Sequence, residues 1–482
     1  MAQTIHPGQK IHLVGIKGTG MTALAELLQA RGDALTGSDG PDKFFTDEIL
    51  DAVGIAYHES FDAAHVPIDA SLVVHSAAYS PDTNPELREA KRLGLRVQVY
   101  PEALGEFSGS FALAAGVAGV HGKTTTTAMA GVVARALGLP ASVLVGSLVP
   151  DFGDRATLHL GQGIFIAETC EYKRHFLHFH PSLILLTSIE LDHTDYFTDY
   201  QDIFSAFLEY AGKLPEFGAL VYCADEEGAS DLARALHKER PDVRLIPYGL
   251  KAEGRFAVVD RRFSPGTISF RLAGWPSPLG LSIPGTHNVL NAAGALALVV
   301  TLAEQTRGGF LEPRELELAG EALKTFRGTR RRSQLVGETN GVLVLDDYGH
   351  HPTAIDLTLR GLKDFYPGRR LVLDFMSHTY SRTKALLDEF AASLAAADVV
   401  VLHKIYSSAR ETDTLGISGR TLFEAASRLR ANVHYFEEPA DALGFYQQHL
   451  KPGDLLVTMG AGDNWKVGKA YLEAGNTPPE AP

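Results

Sequence analysis

Short apolar runs alternate with stretches of helical periodicity along most of this chain. Residues 11–14 read I-H-L-V, a glycine-rich turn follows, and residues 21–30 carry a helical pattern. A second short strand at 34–36 ends in Gly37-Ser38-Asp39, residues 71–74 read as a buried strand, and 96–99 as the last strand of this unit. Residues 101–110 read as the linker to a second unit. That unit opens with the apolar run 111–114, a glycine turn and a Thr/Ala/Val-rich helix, and continues through short strands at 164–167 and 183–187. The segment 217–260 mixes strand and helix signals, and residues 284–291 open an Ala-rich helix. From about residue 326 the alternation becomes regular: strands at 342–345, 370–375, 399–402, 431–436 and 455–459, with helices at 353–362 and 384–396 among them. Strands separated by helices of this kind predict a mostly parallel sheet. The pattern therefore predicts an α/β chain of three domains, 1–106, 107–325 and 326–482. The first and third are Rossmann-like, and the central one is built on a phosphate loop.

Composition narrows the picture. A length of 482 residues suits about three domains at roughly 150 residues each. With 45% apolar and 21% charged residues, the chain is an ordinary globular sequence able to bury large cores. A formal net charge of -14 disfavours a nucleic-acid partner, which needs its phosphates neutralised. The two cysteines, Cys170 and Cys223, exclude a disulfide framework and fit a reducing compartment. The first ten residues lack an apolar signal core, and no apolar run reads as long enough to span a membrane. A cytoplasmic protein without membrane insertion is expected, and a monomer and a homodimer both fit.

The strongest chemical signal is A-G-V-A-G-V-H-G-K-T-T-T-T at residues 115–127, at a strand-to-helix junction. Backbone N–H groups and the helix N-terminus meet an anion in such a turn, Lys123 adds a positive charge, and the Thr124 hydroxyl can face Mg²⁺. Gly119, His121, Gly122, Lys123, Thr124 and Thr125 make up the cradle. Its spacing departs from the usual phosphate loop, because the first glycine should fall at Val117 and the earlier glycine is Gly119. In the first unit Gly15, Gly18 and Gly20, with Asp39 about twenty residues on, form a nucleotide-type turn without the spacing that specifies a dinucleotide. His75, Ser76 and Ala77 follow the strand 71–74, where ligands sit in open α/β sheets. Glu168 ends the strand 164–167 and His193 follows 183–187. On strands flanking the loop they suit Mg²⁺, which takes oxygen ligands and keeps several waters. His287, Asn288 and Asn291 lie at a helix start, where they cap the helix or meet a base edge. The run F-R-G-T-R-R-R at 326–332 is a solvated face or an anion clamp. Four polar clusters, at 346–351, 377–382, 406–411 and 460–463, follow strands of the third unit and mark one sheet edge as a site. There is no nucleophilic serine or cysteine arrangement. A phosphate loop flanked by two nucleotide-like domains points to joining two substrates with ATP: a carboxylate is a poor electrophile until phosphorylated, whereupon an amine can attack it.

The stretches G-V-H-G-K-T-T-T-T, A-E-T-C-E-Y, I-E-L-D-H-T-D-Y-F, G-T-H-N-V-L-N-A, D-D-Y-G-H-H-P-T and H-T-Y-S-R-T occur in this order. Together they resemble the Mur ligases of peptidoglycan synthesis. The resemblance covers nearly the whole chain, from Ile11 to G-A-G-D-N-W-K-V-G at 460–468. It is greatest to the members that join L-alanine to UDP-N-acetylmuramate through an acyl phosphate. It implies ATP and Mg²⁺ as cofactors. Gly15, Gly18, Gly20, Asp39, His75, Ser76 and Ala77 would serve the UDP-sugar. Lys123 and Thr124 would hold ATP phosphates and Mg²⁺, with Glu168 and His193 as further metal ligands. His287, Asn288 and Asn291 would contact adenine, Arg331 or Arg332 would reach the phosphates, and Asp346 or Asp347 would lie near the nucleotide. Tyr348, His350 and Arg382 would hold L-alanine, so that Lys123, His350 and Arg382 carry the catalysis. Departures from the family pattern are Val120 for Thr, Thr169-Cys170 for Ala-Asp, Ser188 for Asn, Thr379 for Arg, and Lys17 for Gly, which is expected to set a side chain beside the pyrophosphate. The alternatives are a ligase that attaches a whole tripeptide to UDP-N-acetylmuramate, an oxidoreductase using Gly15–Asp39 for a dinucleotide, which leaves G-K-T-T unexplained, and a non-catalytic sugar-nucleotide sensor.

Overall fold

The computed structural model describes residues 8–407, 411 and 413–476. Residues 1–7, residues 408–410 of one polar cluster, residue 412 and residues 477–482 lie outside the described residues. The tail is expected from its sequence to be disordered from Gly475, but the helix Trp465–Asn476 includes its first two residues. The chain is α/β with three mostly parallel sheets and one small antiparallel sheet. In the first, five parallel strands run in the order Tyr57–His58, Ala34–Ser38, Lys10–Val14, Leu72–His75, Val97–Val99. The chain reverses its direction of winding at Lys10–Val14, so the crevice beyond that strand is the natural ligand position. The expected linker at 101–110 is instead a helix, Tyr100–Ser108. Pro101 sits in its first turn, where the missing N–H costs nothing, and buried Phe107 packs edge-on to Phe111 and Phe165. Burial of this apolar face outweighs the linker-like Pro and Gly.

The central sheet has seven strands, with Leu113–Ala118 between Leu183–Leu186 and Ile164–Glu168. This strand runs four residues past the expected end of the run 111–114, because its small side chains admit close neighbours. A Cβ on Gly116 would collide with the Tyr210 hydroxyl. The helix Thr286–Arg307 corrects the expectation that no run is long enough to span a membrane: its 22 residues and apolar character meet that test. Its apolar window is 83% buried inside the protein, against the helix Lys123–Ala136 that follows the phosphate loop. A helix hydrophobic all round is here a core helix. Within the segment of mixed signals, Ala219–Cys223 and Arg244–Tyr248 extend the central sheet. An antiparallel sheet of Val258–Ser264, Thr267–Leu272 and Leu279–Leu281 was not anticipated. Its signal is the alternation of buried Ile268, Phe270 and Leu272 with exposed neighbours.

The third sheet orders its strands Gln334–Thr339, Val342–Asp347, Asp454–Gly460, Arg370–Met376, Val399–Leu402, Val433–Tyr435, all parallel but the first. The expected helix 384–396 is broken into Tyr380–Ala385, Leu387–Ser393 and a 3₁₀ turn, with Leu386 off helical geometry at φ -120°. Beneath this sheet, fully buried Asp374 accepts hydrogen bonds from His403 Nε2 at 2.9 Å, Asn464 Nδ2 at 2.8 Å and the Tyr446 hydroxyl. The Nδ1–H of His403 donates to the Phe436 carbonyl at 3.0 Å, so both ring nitrogens face acceptors. Burial opposes charge on His403, but Asp374 outweighs it and raises its pKa above the ordinary 6.5.

Removing Asp374 leaves a buried imidazolium without its counter-charge, so Asp374→Ala should cost about 3–5 kcal/mol in urea unfolding. Because the pKa of His403 is raised on folding, the stability it contributes is complete below pH 6.5 and is lost as pH rises through the native value. His403→Phe should flatten that part of the stability-versus-pH curve.

Candidate active site

A cleft of about 620 Å³ lies between the central and third sheets, with the phosphate loop on one wall and the strand ends of the third sheet on the other. Gly119 and Gly122 have positive φ, 129° and 82°. A Cβ on Gly122 would stand 2.5 Å from Asn291 Oδ1, and one on Gly119 would collide with the Thr187 hydroxyl. The missing glycine at 117 has no such duty, since Val117 is still inside the strand. Ser188 holds the turn: its carbonyl accepts from Val120 N at 3.1 Å and its hydroxyl from His121 N at 3.0 Å.

Lys123 opens the helix Lys123–Ala136 and donates to both oxygens of Glu171, at 3.1 and 3.0 Å, and to the Gly119 carbonyl. Burial opposes the charge on each partner. The carboxylates of Glu171 and Glu168 nonetheless raise the pKa of Lys123, while Lys123 and His193 lower that of Glu171. The Thr124 hydroxyl donates to Glu168 Oε1 at 3.2 Å and Gly146 N–H to Oε2 at 2.8 Å. His193 Nε2 lies 3.5 Å from Glu171 Oε1. Thr124, Glu168 and His193, singled out from sequence, thus share one corner with Glu171, which was not. Its signal was the second acid of A-E-T-C-E, three residues beyond Glu168.

At the far end of the loop, Asn288 Nδ2 donates to the Pro284 carbonyl at 2.6 Å, and Asn291 Nδ2 to Asn288 Oδ1 at 2.9 Å. The His287 ring lines the same end, and its buried Nδ1 has no hydrogen-bond partner among the described residues. The arginine run divides. Arg327 pairs with Asp151 at 3.1 Å and Arg330 with Asp154 at 2.8 Å. Arg331 turns inward to Asp346 at 2.9 Å and the Gly460 carbonyl at 2.8 Å. Arg332 lines the cleft beside the Tyr348 ring. Asp347 accepts from Ser333 N at 2.6 Å and Gly349 N at 2.6 Å, shaping the turn below it.

On the opposite wall, the Nδ1–H of His350 donates to the Tyr348 carbonyl at 2.9 Å, which leaves the Nε2 lone pair for another partner. Burial, with Arg382 nearby, holds its pKa well below 6.5. Arg382, expected to meet an amino-acid carboxylate, lines the cleft with its guanidinium paired within the protein. Its Nε and Nη2 donate to Asp192 Oδ1 at 2.9 and 2.6 Å, and Nη1 to the His378 carbonyl at 2.8 Å. A buried guanidinium needs a fixed counter-charge, and Asp192, from the central sheet, supplies it. Burial raises the pKa of the Asp192 carboxyl, but Arg382 outweighs this and holds it well below the usual range.

The first sheet meets the central one at a smaller cleft of about 180 Å³, where Gly20 and Tyr100 face Gly146, Glu168 and Cys170. Glu168 therefore lines both clefts. Of the first-unit residues singled out from sequence, Gly20 lines this cleft, and Gly15, Gly18, Asp39, His75, Ser76 and Ala77 do not. A Cβ on Gly15 would stand 2.6 Å from the Tyr79 ring, whose hydroxyl donates to Asp39 Oδ1 at 3.2 Å. Asp39 also accepts from Lys17 N at 2.7 Å and Gly40 N at 2.8 Å, which pins the glycine turn. His75 Nδ1–H donates to the Ser76 carbonyl at 3.0 Å. Lys17 was expected to project beside a pyrophosphate. Its buried ammonium instead turns to Asp47 at 3.0 Å, Glu59 at 3.1 Å and the carbonyls of Gly40 and Asp42. The two acids satisfy its charge there.

A phosphate loop facing the third sheet across one cleft, with the first sheet against the other side of Glu168, is the arrangement of a ligase family that uses ATP. The chain belongs to the Mur ligase family: residues 10–112 match the Mur ligase family catalytic domain, 117–299 the Mur ligase middle domain, and 331–462 the Mur ligase, glutamate ligase domain. It is 50% identical to a UDP-N-acetylmuramate–L-alanine ligase of Treponema pallidum over 96% of each chain. To one of Borrelia garinii it is 38% identical, over 94% of this chain and 97% of the relative. A solved UDP-N-acetylmuramate–alanine ligase of Thermotoga maritima superposes with a TM-score of 0.75 at 25% identity, covering 97% of this chain and 99% of that one. A murein peptide ligase of Psychrobacter arcticus gives 0.66 at 25% identity, covering 98% and 100%.

Gly122→Ala places a Cβ at positive φ and against Asn291. The conformational term alone is about 1–2 kcal/mol, so stability in urea unfolding should fall by at least about 1 kcal/mol. Unchanged stability would contradict the tight approach of the helix Thr286–Arg307 to the loop.

Proposed function

We propose that this chain uses ATP to join L-alanine to UDP-N-acetylmuramate through an acyl phosphate, in the cytoplasm, as a step of peptidoglycan precursor synthesis. The observation that carries the reading is one cleft with a charged phosphate loop on one wall and a neutral imidazole, His350, on the other. Support for the substrates comes from relatives of that activity that match along almost the entire chain.

In this reading residues 1–106 take the UDP-sugar at the Gly15–Gly20 turn, 107–325 hold ATP, and 326–482 bring the amino acid. Lys123 and the N–H groups of its loop offset charge while the lactyl carboxylate oxygen bonds to the γ-phosphorus and the bond to ADP breaks. Positioning and charge dominate such a transfer. Thr124 and Glu168, with Glu171 beside them, offer the hydroxyl and carboxylate oxygens that suit Mg²⁺, and His193 stands at the edge of that shell, 3.5 Å from Glu171; bound there, the ion would neutralise phosphate charge. Arg332 reaches the phosphates from the third domain, since Arg331 is committed to Asp346. His287 contacts the base with its open nitrogen. Tyr348 and His350 flank the alanine, and His350 Nε2 takes a proton from its ammonium, so that the amine attacks the acyl carbon and phosphate leaves. Arg382 orders this end through Asp192.

The test is phosphate release from ATP and UDP-N-acetylmuramate with each amino acid supplied singly. L-alanine should stimulate it selectively. Stimulation by the tripeptide alone would favour the recycling ligase, and none by any addition would overturn the reading. Lys123→Ala should lower turnover at least about 100-fold. Arg332→Ala should weaken ATP binding without lowering the melting temperature, whereas Arg331→Ala should lower the melting temperature.

A further inference from the structure

We propose that His121, Glu190 and His351 form a second cation site, apart from the Thr124–Glu168–His193 corner, that takes a borderline transition-metal ion such as Zn²⁺. The three come from separate places: the phosphate loop, the segment after Leu183–Leu186, and the residue that precedes the helix Pro352–Phe365. His121 Nε2 lies 3.6 Å and His351 Nδ1 3.7 Å from the same oxygen, Glu190 Oε2. Neither distance is a hydrogen bond, and both nitrogens are buried without a partner among the described residues. His351 is only 7% exposed, so water does not readily satisfy it.

Two orphaned imidazole nitrogens beside one carboxylate oxygen cost free energy unless something lies between them. The three ligand atoms fall within 4.8 Å of one another. Zinc bonds of about 2.0–2.2 Å set the edges of a coordination tetrahedron at roughly 3.4 Å, close to the two distances seen. Binding therefore asks for shifts of tenths of an ångström at Glu190 and a modest approach of the two rings. The Thr353 hydroxyl donates to Glu190 Oε2 at 2.9 Å, the kind of outer contact that holds a ligating carboxylate in place. Two imidazoles and a carboxylate leave a fourth position for water, and this donor set favours zinc over the oxygen-seeking Mg²⁺. Since the ligands lie on both sides of the cleft, the ion would favour the arrangement that brings His351 to the phosphate loop, and so raise resistance to unfolding. The inference does not depend on which amino acid the chain ligates.

The test uses the full chain without nucleotide, in excess Mg²⁺. Zn²⁺ titrated by calorimetry should bind at one equivalent and raise the melting temperature, and Co²⁺ should give the visible absorption of a tetrahedral site. His351→Gln and Glu190→Gln should each weaken binding by more than the about 10–100-fold of an outer-shell change, and His193→Gln should leave it intact. Circular dichroism without zinc reports which variants fold, and a folded one of the first two decides. Absence of zinc binding, binding unchanged in that variant, or binding abolished in folded His193→Gln would each overturn the proposal.

Discussion

A phosphate loop must keep a lysine charged in a place from which water is largely excluded, and here Glu171 makes that possible. The pair is nearly buried on the Glu171 side, at 3% exposure. Either charge alone would pay heavy desolvation, whereas together they remain ionised. Glu171 also lies 3.5 Å from His193, so one carboxylate is both the counter-charge of Lys123 and a neighbour of the corner formed by Thr124 and Glu168.

The same logic recurs across the cleft. Arg382 and Asp192 are 190 residues apart, one in the helix Tyr380–Ala385 of the third unit and the other in the loop beyond Leu183–Leu186 of the central one, yet each is the other's main charge partner. Asp192 is adjacent to His193 and Arg382 contacts His378, so this single pair ties the metal-like corner to the wall that carries His350. The arginine run does similar work at the hinge between the sheets: Arg327 and Arg330 hold Asp151 and Asp154 of the central unit, and Arg331 holds Asp346 of the third. One basic stretch is thereby divided among structural pairs, with Arg332 left facing the cleft.

What was legible in the sequence was local. Strand, turn and helix succeed one another within a dozen residues at the phosphate loop, and Glu168 ends the strand that the apolar run 164–167 already marks, whereas His193 lies in the loop beyond Leu183–Leu186. The parallel order of the sheets follows from the same alternation. What escaped depends on partners distant in the chain. Nothing near Lys17 announces that Asp47 and Glu59 will draw its ammonium away from the glycine turn, and nothing near Arg382 announces Asp192. The helix Tyr100–Ser108 reads as a linker until Phe165 is there to pack on it. The start of the helix Thr286–Arg307 reads as an Ala-rich helix, and that its 22 residues are long and apolar enough for a membrane span escaped the sequence reading; the layers around it make it a core helix.

The shortened loop shows how such distant constraints act on a motif. The glycine expected at 117 is absent because the strand Leu113–Ala118 continues through that position, paired on both sides by Leu183–Leu186 and Ile164–Glu168. A valine with β-propensity strengthens that pairing where a glycine would weaken it. Glycine is then required two residues later, at 119, where the chain leaves the strand against Thr187 and Ser188, and again at 122, where Asn291 presses on the turn. The spacing G-x-x-G-K-T is thus dictated by neighbours from two other parts of the chain. The asparagine that presses on Gly122 is itself held by Asn288, so the helix start that flanks one end of the cleft also shapes the phosphate loop.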